Sequence, residues 1–125
     1  MNTSQSQYVY TGLFFLFIFI SGFFVSHGGK PYGVGIFTVH KLIGLAAGIY
    51  LGVRVYRAHQ AAPLGTAEIA AIVVTVVFFI STVVAGGLLS TEEPMPAFVS
   101  LVHKISPYLI VASTIVTLYL LHKRG

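Results

Sequence analysis

Four runs of about twenty mostly apolar residues leave this chain few options, because about twenty is the length needed to cross a bilayer as a helix. They are Tyr8 to Ser26, Ile36 to Tyr56, Glu68 or Ile69 to Ser90, and Ala97 to Leu121. Only 8% of the 125 residues are charged and 56% are hydrophobic. A water-soluble domain carries roughly a quarter charged residues, so three acids and seven bases do not cover a wet surface. The expectation is an all-α integral membrane protein. Short connections favour antiparallel neighbours, hence one up-down-up-down four-helix domain over residues 1–125 with no room for a soluble one.

The breaks carry turn chemistry. His27-Gly28-Gly29-Lys30-Pro31-Tyr32-Gly33 separates the first two runs, Gln60 to Gly65 with Pro63 the next two, and Thr91-Glu92-Glu93-Pro94-Met95-Pro96 the last two. Thr66 reads as the N-cap of the third helix. Met1 to Gln7 has no basic residue, so the first run is expected to stay in the bilayer as a span and not serve as a secretory signal. The absence of cysteine excludes disulfides, thiolate metal sites and cysteine nucleophiles. The net charge of +4 reads as loop orientation, not as a nucleic-acid surface. Arg54, Arg57, Lys123 and Arg124 lie on the side of the termini; Lys30, Lys41 and Lys104 lie on the other with Glu92 and Glu93. The four-to-three balance places both termini in the cytoplasm of a multi-pass cell (inner) membrane protein.

Within this frame one phrase occurs twice. Val39-His40-Lys41 opens Leu42 to Val55, and Val102-His103-Lys104 opens Ile105 to Leu121. Phe19-Ile20-Ser21 and Phe79-Ile80-Ser81 precede them, which suggests a duplicated helical hairpin. A histidine inside a bilayer is costly and normally has an interior partner or function. In an up-down-up-down bundle the second and fourth helices run the same way on a diagonal. His40 and His103 are then expected at one depth, suited to the two faces of one flat macrocycle. Small residues sit near this level: Gly22 on the first helix, Gly44 on the second, Gly86 and Gly87 on the third. Pro107 lies four residues after His103, where it removes the helical bond to the His103 carbonyl. Lys41 and Lys104 can snorkel toward the interface and meet anionic propionates there, with Lys30, Tyr32 and His27 as further candidates.

The pattern resembles the four-helix core of membrane b-type cytochromes: respiratory cytochrome b, the cytochrome subunits of formate dehydrogenase and hydrogenase, and small stand-alone bacterial relatives. The resemblance implies one haem b with His40 and His103 as axial ligands and with Gly22, Gly44, Gly86 and Gly87 as packing sites. Many relatives hold a second haem on histidines 13 or 14 residues further along each ligand helix. Here Val53, Arg54, Val116 and Thr117 stand at those positions, so no second haem is expected. His59 and His122 lie beyond the span and read as solvated. With both axial positions filled, electron transfer with a quinol, a small redox carrier or superoxide is the expected activity. Whether that makes an enzyme stays open. The alternative is a haem-free anchor or assembly subunit, in which the two histidines bond to Ser, Thr or carbonyl groups. Gly44, Gly48 and Gly52 would then form a helix-packing stripe, in a homo-oligomer or a larger complex.

Overall fold

The computed structural model describes residues 3–28, 33–91 and 93–124. Among these, regular structure is entirely helical: α1 (Thr3–Gly28), α2 (Val34–Ala61), α3 (Thr66–Leu89) and α4 (Ala97–Arg124). All four are long and apolar enough to cross a membrane, which makes the chain a multi-pass membrane protein of the expected all-α, four-helix class. At 24 to 28 residues each, they measure about 36 to 42 Å against a hydrocarbon core of about 30 Å. Each of them therefore runs past the apolar limits read from the sequence at one end or both. Hydropathy stops where the side chains turn polar, as at Arg57-Ala58-His59-Gln60. Backbone hydrogen bonding continues through such residues.

Thr66 is not the N-cap of α3. Gly65 takes that place with extended backbone and no side-chain cap, and Thr66 is the first helical residue. Glu68, in the first turn, folds back over Gly65: a β-carbon added there would stand 2.8 Å from Glu68 Oε2. A carboxylate at this end complements the helix dipole. Gly65→Ala is expected to push Glu68 away and loosen the first turn by about 1 kcal/mol. Faster amide exchange over residues 66–69, with the rest of α3 unchanged, is the check.

The chain divides into two compact units, Met1–Pro63 and Leu64–Gly125. Each is an antiparallel helical hairpin, α1 with α2 and α3 with α4. In the first, the end of α1 meets the start of α2 at Ser21 and His40; the opposite ends meet where Tyr10 packs on Tyr50. In the second, Thr82 meets His103 and Thr75 meets Thr117.

The seams are rich in small and hydroxyl-bearing residues, joined by Val25 in the first hairpin and by Val99, Ile110 and Leu118 in the second. Buried positions include Thr11, Ser21 and Ala47 in the first hairpin, and Ala85, Ser106, Thr114 and Thr117 in the second. Most other large apolar side chains point outward, with Phe23 62% and Tyr108 66% exposed. This is the reverse of a water-soluble core. In lipid, apolar burial does not drive helices together, and close approach of small residues with interhelical hydrogen bonds takes over. α4 continues through Pro107, so the proline removes one hydrogen bond without ending the helix.

Candidate functional site

His40 and His103 hold the same place in their helices, six positions after the first residue of α2 and of α4. That is about 9 Å along the axis from each helix start. Both rings are half-buried, and each turns toward the preceding helix of its own hairpin.

In the second hairpin, His103 Nδ1–H donates to the main-chain carbonyl of Thr82 at 2.9 Å. A carbonyl only accepts, so the proton of the neutral ring is on Nδ1 and Nε2 carries the lone pair. A helical carbonyl is normally shielded by the side chain one turn on. Here that residue is Gly86. A β-carbon added to Gly86 would stand 2.7 Å from His103 Cε1. The glycine uncovers the Thr82 carbonyl and makes room for the imidazole.

The first hairpin repeats this arrangement with one atom inserted. Gly22 stands one turn after Ile18, and a β-carbon on it would lie 3.0 Å from His40 Cε1. Ser21 places its hydroxyl between ring and carbonyl. Its Oγ–H donates to the Ile18 carbonyl at 3.1 Å, and His40 Nδ1 lies 2.9 Å from the same oxygen. With the serine proton on Ile18, His40 Nδ1–H is the donor, and Nε2 again carries the lone pair. Residues 18, 21 and 22 thus correspond to Thr82, Ala85 and Gly86.

That correspondence revises the internal repeat. The matching Phe-Ile-Ser triplets lie 60 positions apart, whereas Gly22 and Gly86 lie 64 apart. Ser81, the sequence match of Ser21, instead donates to the Val77 carbonyl of its own helix at 2.8 Å. The duplicated hairpin is recognisable from the His–Gly contact, one helical turn away from the register of the triplets.

The remaining expected residues divide. Gly44 and Gly87 meet no atom within 4 Å of an added β-carbon, so neither clears space for a side chain within its hairpin. Lys41 and Lys104 are exposed; Lys41 Nζ lies over the Phe37 ring, 4.2 Å from its centroid. His27 stacks on Phe23 with ring centroids 5.5 Å apart. Lys30, Tyr32 and Glu92 lie outside the described residues. Among the described residues, no three or more His, Cys, Asp or Glu side chains gather as a metal cage. A porphyrin brings four nitrogens of its own and asks the protein only for axial ligands.

Two partners of the histidines escaped the sequence reading. Ser21 stood only as part of a triplet, although an adjacent Ser-Gly pair near a helix end was a usable signal. The Thr82 carbonyl is backbone and leaves no mark in the sequence. A second polar level also emerged. Eleven positions before the glycines stand Thr11 and Thr75, and ten positions after the histidines stand Tyr50 and Ser113. Thr11 Oγ1, Tyr50 OH and the neighbouring Thr114 Oγ1 are buried without a hydrogen-bond partner among the described residues. A buried hydroxyl without a partner costs about 1–3 kcal/mol. Tyr50→Phe, which keeps the ring against Tyr10 and Phe14, is therefore expected to leave stability unchanged or raise it by about 1 kcal/mol. Thermal unfolding in detergent measures this.

No protein-family model, curated protein or solved structure matches this chain.

Proposed function

We propose that the protein is a membrane b-type cytochrome in which His40 and His103 supply the two axial nitrogens of one haem b. The observation that carries this is the shared state of the two imidazoles. Each has its Nδ1 engaged, directly with a carbonyl or through a serine hydroxyl, which makes Nε2 the ring nitrogen suited to iron. Histidine ligands of metals almost always donate their other N–H to such a group, which fixes the ring and raises its basicity. A haem so held supplies one-electron chemistry. The chain's own contribution is to orient two rings, keep them in one tautomer and exclude water with an apolar surround.

The proposed electron partner is a quinol, a small redox carrier or superoxide. One haem near the histidine ends of the helices exchanges electrons at that side, which we assign to the non-cytoplasmic face, with both termini cytoplasmic. Lys41 and Lys104 would stand at the water layer near the propionates. Gly44 and Gly87, free of side-chain contacts within their hairpins, are the glycines left to accommodate the ring edge.

One observation favours a second reading. Each histidine already bonds within its own hairpin, as clasping residues of a haem-free anchor subunit would. An absorption spectrum of detergent-purified protein, oxidised and then dithionite-reduced, separates the two. The cytochrome requires Soret and α bands of a six-coordinate haem, with that spectrum lost in both His40→Ala and His103→Ala. A colourless protein that stays folded after both changes is the anchor.

A further inference from the structure

The net charge of the chain is carried by one of its two hairpins. Residues 1–63, the first unit, contain Lys30, Lys41, Arg54 and Arg57 and no aspartate or glutamate. In residues 64–125 three bases are offset by three acids. No side-chain ion pair can therefore form within the first hairpin, and whatever neutralises its cations comes from outside it.

Two of these cations stand close together on α2. Arg54 and Arg57 are three positions apart and so share a face, with Tyr50 one turn before Arg54. The apolar run read from the sequence ends at Tyr56. Arg57 thus lies just past the hydrocarbon limit, and Arg54 about 3 Å inside it. Side chains on a helix lean toward its start, and α2 ends on this side, so its side chains here lean toward the bilayer centre. Arg54 follows that lean. Its guanidinium lies over the Tyr50 ring, with Cζ 5.2 Å from the centroid, and the residue is half-buried. The ring is held in turn by Tyr10 and Phe14 of α1, at centroid distances of 6.2 and 5.4 Å. A cation in hydrocarbon is costly and is normally paired. An aromatic face attracts it but supplies no oxygen to its five N–H donors.

We propose that Arg54 and Arg57 bind the phosphate of an anionic phospholipid at the α1-start, α2-end side of the first hairpin, with Tyr50 as the platform that aims Arg54. A phosphodiester presents two oxygens to the planar fork of a guanidinium. A phospholipid brings that group to the hydrocarbon boundary, where a soluble anion would have to give up its water. Two arginines without an acid leave a net charge that a net-negative lipid neutralises. Phosphatidylcholine carries its own cation and leaves that charge standing. The propionates of the proposed haem do not serve here. His40 lies fourteen residues back along α2, about 21 Å, and Lys41 stands with it toward the opposite end.

The second hairpin is the comparison. It too has a cation over a ring, with Lys123 Nζ 5.7 Å from the Tyr119 centroid. Lys123, however, lies beyond the apolar limit at Leu121, in a unit without net charge.

The test titrates detergent-purified protein with phosphatidylglycerol and, separately, with phosphatidylcholine of the same chains, and counts retained lipid by native mass spectrometry. Phosphatidylglycerol is expected to bind about tenfold more tightly, the order of one charge-assisted hydrogen bond. Arg54→Gln should remove most of that preference. Arg54→Lys should keep part of it, because the charge remains and the fork does not. Lys123→Gln should change it less than about twofold. Phosphatidylglycerol should also raise the thermal unfolding temperature of wild type, and inorganic phosphate at the same concentration should not. Equal retention of the two lipids by wild type overturns the proposal and leaves the counter-charge to a carboxylate of a partner subunit; that comparison needs no variant to fold. A preference that Arg54→Gln does not lower, or that Lys123→Gln lowers as much, overturns the site. Protection by inorganic phosphate equal to that by phosphatidylglycerol makes the ligand a free anion and overturns the lipid. None of these outcomes needs pigment, so they stand apart from the cytochrome reading.

Discussion

His103→Ala is expected to purify as a helical but colourless protein, with more than about nine-tenths of the Soret absorbance of wild type gone. The substitution removes the nitrogen assigned to iron and the hydrogen bond to Thr82. An intramolecular hydrogen bond contributes about 1 kcal/mol net, so most of α3 and α4 should persist, and far-ultraviolet circular dichroism should differ little from wild type. The Thr82 carbonyl still accepts its own helical bond and is not orphaned. Pigment loss with helix retained is therefore the signature of a ligand, and concurrent loss of both would be the signature of a structural residue. A variant that retains its full Soret band places iron elsewhere and removes His103 from the cofactor site.

The second large effect is expected from Gly86→Val. Its β-carbon alone would stand 2.7 Å from His103 Cε1, a separation that real side chains do not hold. The two methyl groups of valine add to the crowding. The imidazole cannot yield by a small shift, because Nδ1 is held to Thr82 at 2.9 Å on the same helix. Either the ring swings away and the bond breaks, or α3 and α4 part at that level. Overpacking of this kind costs about 1–3 kcal/mol, and loss of the hydrogen bond adds about 1 kcal/mol. Thermal unfolding in detergent should fall clearly for Gly86→Val and hardly at all for Gly87→Ala, whose added carbon meets nothing within 4 Å. Gly22→Ala should fall between them, since its clash with His40 is milder at 3.0 Å. Equal stability for the Gly86 and Gly87 variants would mean that the close contact with His103 does not exist in the protein.

These neighbouring glycines show where the sequence could and could not be read. As a sequence, Gly86 and Gly87 are indistinguishable, and both were expected at the site. The rotation of α3 about its axis separates them: one faces α4 and the other does not. Ser21 and Ser81 make the same point. Each closes a Phe-Ile-Ser triplet, yet one reaches a histidine across the seam and the other returns to its own backbone. The triplets misled because apolar side chains facing lipid exchange for one another at little cost. A repeated Phe-Ile records composition, not register.

Hydropathy is a property of each residue and adds along the chain. Residue identity alone therefore determined the membrane class, the helix count, the approximate span limits and the paired histidines near the helix starts. What those histidines touch is a matter of angles and of distances of a few tenths of an ångström between two helices. Only the tertiary structure decided that Gly22 and Gly86 make room for the rings, that a serine intervenes at one and a bare carbonyl at the other, and that the repeat is offset by a turn. The physical reason is that a helix seam in lipid is selected by shape and hydrogen-bond geometry, neither of which a one-dimensional pattern of apolar residues encodes.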